Sequence, residues 1–282
     1  MRVTLVYIAI ILLFCCRKSF APSPAPTLLF DSIPVSFPLV PLIDEISGIT
    51  AGKINTGHLL GHEDSGNPPR LYIIRTDGTI ARSVYLKGIT NRDWEDITML
   101  GNQVFIAETG DNAQAYTGYR FYRFTEPAAN VDTVYDIQTI HFTYPDGSHD
   151  AEACFIDPVL SHLYIITKRD NKSRIYRISH PYGSTNIAEF VGSLPYNGVV
   201  AASVSGDGKE LLVKTYKHVY YYRRSGEELL EVTLNRAPVT LPYLEEPQGE
   251  AISFAADGSG FYTISEQGFS TSVQLYFYRR RP

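Results

Sequence analysis

A short acidic phrase returns about every fifty residues along this chain, a period typical of repeat architectures. It reads Glu45-Ile46-Ser47-Gly48-Ile49, Trp94-Glu95-Asp96-Ile97-Thr98, Ala151-Glu152-Ala153-Cys154-Phe155 and Gly249-Glu250-Ala251-Ile252-Ser253. A degenerate copy, Ala201-Ala202-Ser203-Val204-Ser205, stands before the last. Between the copies lie aromatic segments of β type, drawn from 20 tyrosines and 14 phenylalanines, with 21 glycines and 17 prolines as turn punctuation. The period and this composition together predict an all-β, five-bladed β-propeller, one blade per repeat. A six-bladed ring is the alternative count, but no sixth acidic phrase is present. A β-sandwich leaves the period unexplained.

Each repeat has the same grammar. A channel strand comes first, and a second strand with a polar end follows, as in His58 to Asp64 or Leu163 to Arg169. The third strand alternates aromatic and polar residues, as in Arg120-Phe121-Tyr122-Arg123-Phe124, so one face packs and the other meets solvent or arginine stems. A fourth closes the blade. The last repeat stops after its third strand, Gln274 to Tyr278, while Leu28 to Phe37 reads as a strand without a blade. That segment is expected to complete the fifth blade and close the ring, which removes an exposed edge.

The chain start reads as a targeting segment. Arg2 precedes an apolar run from Val3 to Cys15, too short for a comfortable membrane span. Leu12-Leu13-Phe14-Cys15-Cys16 resembles a loose bacterial lipobox with Cys16 as the lipidated residue. The expected organisation is a lipoprotein-like signal peptide over 1–16, a linker over 17–27 and a propeller domain over 28–282. Its expected location is the cell envelope, as an outer-membrane lipoprotein, with plain secretion as the alternative. The membrane then enters only through the lipid anchor, and the chain is expected to be monomeric. Cys154 alone lies beyond the tether, so no internal disulfide is expected, and it reads as a small buried hydrophobe. The formal charge of −5 and the lack of a basic stripe exclude nucleic acid as a natural partner.

If the first strand of every blade lines the channel, Glu45, Glu95, Glu152 and Glu250 aim four carboxylates at one axis. Unpaired, they repel one another, and a hard cation such as Ca²⁺ is the simplest counter-charge. The ends of the second strands approach the same mouth. They bring His62, Glu63 and Asp64, then Glu108 and Gly110-Asp111-Asn112, then Lys168 and Arg169, Lys214, and Ser265 with Glu266. Acids and bases around a cation suit an anionic, oxygen-rich ligand. Asp64 or Asp111 would orient water, and Lys168 and Arg169 would hold phosphate oxygens. Asp64-Ser65-Gly66 and Gly110-Asp111-Asn112 are also ordinary turn chemistry. His62, His149 and His180 read as turn or surface residues. No zinc spacing, nucleophile elbow, phosphate loop or dinucleotide fingerprint occurs.

The pattern over residues 40 to 282 resembles the five-bladed propellers of the calcium-dependent apyrases, the soluble calcium-activated nucleotidases. The resemblance is carried by Glu45-Ile46-Ser47, Glu250-Ala251-Ile252, the turn Glu63-Asp64-Ser65-Gly66 and the pair Lys168-Arg169. It implies one central Ca²⁺ held by Glu or Ser from each blade, and so adds Ser203 to the four glutamates. The Glu-x-Ile and Asp-Gly repeats are also similar to bacterial propeller proteins of the esterase-like phytase type. Both imply phosphoanhydride or phosphate-ester hydrolysis. The alternative is a non-catalytic surface module that captures a glycan or protein segment on the rim aromatics Tyr116, Tyr119, Tyr216 and Phe269.

Overall fold

The five repeats fold into five blades of four antiparallel strands, and blades one to four run in chain order from the axis outward. The computed structural model describes residues 28–282, and the predicted signal peptide and linker lie outside the described residues. Blade one consists of Ile46–Ala51, His58–Glu63, Arg70–Arg75 and Ile80–Leu86, and blade two of Trp94–Leu100, Gln103–Glu108, Tyr119–Thr125 and Gln138–Thr143. Blade three consists of Ala151–Ile156, Leu163–Thr167, Arg174–Ile178 and Glu189–Ser193, and blade four of Val199–Val204, Glu210–Thr215, Val219–Arg223 and Val239–Leu241. Blade five has Ala251–Phe254, Gly260–Ile264 and Gln274–Arg279 of its own. Its fourth strand is Val35–Pro38, with Val35 opposite Phe277 and Pro38 opposite Gln274. The N-terminal closure read from the sequence is therefore the one the fold uses. The first strand of blade one packs against those of both blade two and blade five, so the ring is complete at five.

Hydrophobic packing follows the ring. Among the described residues there are five buried clusters, one at each blade–blade junction. Alternation produces them: along Tyr119–Thr125, Tyr119, Phe121 and Phe124 are buried while Arg120 and Arg123 reach outward. Trp94 fills the junction of blades one and two, and Cys154 is buried between blades two and three, as expected of a small hydrophobe.

One feature has no signal in the repeat. In blades two, three and four the link between the third and fourth strands covers the blade before it. Thr133–Val134 adds parallel to Ile80–Leu86, and Thr185–Ile187 adds parallel to Gln138–Thr143. In blade four a helical turn, Leu230–Leu234, seats Leu230 and Leu234 in the core of blades three and four. Two outer edges are thereby paired rather than left open.

Candidate functional site: the acidic mouth of the channel

A β-bulge opens the first strand in four blades. The ladder register shifts around Ser47, Glu95, Glu152 and Val200. Each bulge inserts one residue and re-aims its side chain. In blade five the ladder starts at Ala251 opposite Ile264, which places Glu250 at the same level. Backbone bonds from Asp64 to Glu45, from Lys168 to Asp150 and from Glu266 to Gln248, at 2.8, 2.9 and 3.1 Å, fix the equivalences one row further out.

The acids therefore form two rows and not one ring. Glu95, Glu152 and Glu250 share the bulge row with Ser47 and Val200. Glu45 belongs to the outer row with Asp93 and Asp150; it is exposed and takes the Asn67 amide at 2.6 Å. Ser203 does not join the acids. It lies three residues past the bulge, accepts the Phe254 N–H at 3.1 Å, and lines a cavity of about 80 Å³ at the opposite end of the channel with Thr50, Thr98 and Ser253. The predicted ligand set thus splits, with three glutamates on one level, Glu45 outside it and Ser203 at the far end.

Asp96 closes the channel between the two ends. The matching positions in the other blades are Gly48, Ala153, Ala201 and Ala251, all small, which leaves room for one carboxylate. It accepts the N–H groups of Ile97 and Cys154 at 2.8 Å and of Ala202 at 3.4 Å, tying blades two, three and four together. Burial pushes its pKa well above the ordinary range against the pull of those N–H groups. The repeat spacing gave no sign of this residue's role.

Above Asp96 the carboxylates crowd. Glu95, Asp150 and Glu152 bring ligand oxygens within 4.8 Å of one another, as do Asp64, Asp93 and Glu95. Glu95 is 5% exposed, and no protein group among the described residues donates to its carboxylate. Glu152 Oε2 is also buried without a partner. Burial, followed by the charge of Glu152, raises the Glu95 pKa well above its usual value. Burial pushes Glu152 up to about 8 despite Lys168, Glu266 to about 9 with Glu250 adding to the effect, and Asp64 to about 6. Gly110 makes this crowding feasible: a Cβ there would lie 2.0 Å from Glu95 Oε1 and 2.5 Å from Asp93 Oδ2.

The predicted bases are present but engaged. Lys168 Nζ donates to Glu152 Oε1 and to the Tyr216 hydroxyl at 2.9 Å, and lies 3.5 Å from Glu250 Oε1. Burial works against its charge, but Glu152 and Glu250 outweigh burial and hold the ammonium well above its ordinary value. Arg169 bonds Asp150 at 2.5 Å and also the Asn112 side chain. Asp111 does not open into the mouth. Its carboxylate accepts from the N–H groups of Ala115 and Tyr116 and from the Tyr119 hydroxyl at 2.8 to 2.9 Å, while its own N–H donates to Asp150 at 2.8 Å. It organises the loop between the second and third strands of blade two.

Several neighbours in sequence point elsewhere, because side chains alternate along a strand. Lys214 is fully buried between blades four and five against Glu246, Tyr243 and the Gly249 carbonyl. Burial lowers its pKa to about 8. His62 is not a surface residue but is buried edge-on against Trp94, and burial lowers its pKa to about 4. His149 is buried too, between Asp146 and Asp170 at 3.2 Å each. Glu108 pairs with Arg120 at 2.7 Å on the blade flank. Of the four rim aromatics, Tyr119 is buried, Arg92 stacks 4.0 Å over Tyr116, and the Tyr216 hydroxyl is held by Glu250. Phe269 alone projects fully into solvent.

No family model matches the sequence, and no curated protein matches it. Solved structures do. The chain is similar to a luciferin-regenerating enzyme at 11% identity, with a TM-score of 0.52 over 87% of this chain and 95% of that one. It is also similar to the β-propeller domain of Cps50 (Swd1) from Myceliophteria thermophila, at 13% identity and a TM-score of 0.45 over 84% and 83% of the two chains. A chain of a nidogen/laminin complex aligns at 12% identity and a TM-score of 0.49 over 79% and 72%. At these identities the likeness is one of fold.

Proposed function

We propose that the protein binds a divalent cation, Ca²⁺, in the acidic mouth of its propeller. The observation that carries this reading is the buried, unpartnered Oε2 of Glu152 in a cluster where Glu95, Asp150 and Glu152 bring ligand oxygens within 4.8 Å of one another. An all-oxygen, carboxylate-rich donor set suits a hard cation. Glu95, Glu152 and Asp150 would hold it, with Glu250 one side chain away. Asp150 already accepts from Asp111 and Arg169, but a carboxylate has lone pairs to spare. A bound Ca²⁺ would neutralise the cluster and offer a site for an anionic oxygen of a ligand. Calorimetric titration with Ca²⁺ tests the reading, which fails if no heat of binding is seen at millimolar ion.

Hydrolysis of a phosphoanhydride or phosphate ester, as in the apyrase-like and phytase-like propellers, is the second reading. The proximity of Lys168, Arg169 and Asp64 to the acids favours it. Both bases are clasped by carboxylates, so they reach phosphate only after a cation takes those carboxylates over. Phosphate release from nucleotides and phosphomonoesters, with Ca²⁺ and with EDTA, tests this arm; no turnover on any of them rejects it. Export on an N-terminal tether is part of the same proposal. Phe30 bridges to Arg280 beside the Gly258 turn, on the face opposite the mouth. A tether leaving there would turn the mouth away from the surface that anchors it.

A further inference from the structure

The geometry points to a second cation site beside the axial one, built by Asp64, Asp93 and Glu95, with Glu95 shared between the two. This rests on the reading of the mouth as a cation site and extends it from one ion to a carboxylate-bridged pair.

Each set of three acids gathers its ligand oxygens within 4.8 Å, and Glu95 is the one residue in both. Glu95 is the bulge residue of blade two and offers a ligand oxygen to each set. It is 5% exposed, and its carboxylate accepts no hydrogen bond among the described residues. A buried carboxylate normally finds partners, and a carboxylate has lone pairs for two metal ions. Glu95 therefore has spare capacity on both sides.

Among the described residues neither Asp64 nor Asp93 forms an ion pair, although the charge of Arg92 acts on Asp93. Asp64 takes the N–H of its neighbour Ser65. Arg92, adjacent to Asp93 in sequence, turns away to Glu108, the Gly118 carbonyl and the Tyr116 ring. Lys168 and Arg169 are spent on Glu152, Glu250 and Asp150. Eight carboxylates, from Glu45, Asp64, Asp93, Glu95, Asp150, Glu152, Glu250 and Glu266, act on one another across the mouth. The glycine at 110 keeps the wall beside Asp93 and Glu95 free of a side chain. The occupant is a hard divalent ion of the same class as the axial one.

Counting bound ions separates the two claims. Native mass spectrometry and calorimetric titration of the 28–282 domain with Ca²⁺ should give two ions per chain. Asp93→Asn should leave one ion, and Glu152→Gln should leave the other. Glu95→Gln should weaken both by at least about tenfold, the scale of losing a bridging ligand or its support. Circular dichroism checks that each variant keeps its β fold. One ion in the wild type, with Asp93→Asn binding it unchanged, overturns the second site and leaves the axial site standing. No bound ion at all overturns both.

Discussion

Lys168 and Glu152 form a one-sided pair: the ammonium holds Glu152 Oε1, while Oε2 stays buried with no partner. Lys168 thus occupies part of the site that a cation would fill. Lys168→Met should raise Ca²⁺ affinity by at least about tenfold, since an ammonium a few ångströms away competes with the ion at several kcal/mol in a partly buried site. The cation-free variant should melt below the wild type, because Glu152 and Glu250 lose their counter-charge. Unchanged affinity in a titration would place Lys168 outside the cation site.

The pH dependence has a definite sign. Burial holds protons on Glu152 up to about pH 8 and on Glu266 up to about pH 9, whereas the unfolded chain releases them near 4.5, the ordinary glutamate value. Between those limits the folded chain carries more protons, so the cation-free protein loses stability as pH rises from about 5 to about 9. Ca²⁺ replaces those protons, so its affinity rises over the same interval. Thermal melts from pH 5 to 9, with Ca²⁺ and with EDTA, should diverge towards alkaline pH. Parallel curves would contradict the crowded-acid account.

Gly110→Ala separates the mouth from the fold. Its new Cβ would press on the ends of Glu95 and Asp93, which can swing away, and not on backbone. Global stability should change little, while Ca²⁺ affinity falls by about tenfold or more, as when a group that positions a ligand is lost. Titration against a denaturation curve distinguishes this from general damage.

Asp96→Asn tests the channel closure. One carboxylate oxygen becomes an N–H₂ that cannot accept from Ile97 or from Cys154 and Ala202. The loss should be about 1–3 kcal/mol in a denaturant titration, the cost of leaving a buried donor unsatisfied. Ca²⁺ affinity should stay the same, because Asp96 lies below the bulge row. A loss of binding at unchanged stability would make Asp96 a ligand.

The fold was legible because each blade repeats one burial problem and the solution leaves a fifty-residue trace. Closure was legible too, since Leu28 to Phe37 had no blade of its own and blade five lacked a strand, although the paired strand is the shorter Val35–Pro38. The site was legible only in part, for a physical reason. A bulge adds a residue with no mark in the sequence, so Glu45 matched Glu95 by phrase but Asp93 by register. Phrase matching likewise put Ser203 where Val200 stands. Lys214 and His62 carry mouth-like chemistry, but they sit one step along a strand from mouth positions, and one step reverses the side chain's direction. Asp96 was hidden because its role depends on the smallness of four residues far away in sequence.

The most direct test of the central claim is the melting temperature of the 28–282 domain in EDTA and in Ca²⁺. At about a hundred times the dissociation constant, a bound ion adds about 2.7 kcal/mol, which for a chain of this size moves the midpoint by roughly 5–10 °C. The account predicts that upward shift for the wild type and its loss in the double change Glu95→Gln, Glu152→Gln. Identical melting curves in Ca²⁺ and EDTA, with the double variant as stable as the wild type or more so, would contradict it.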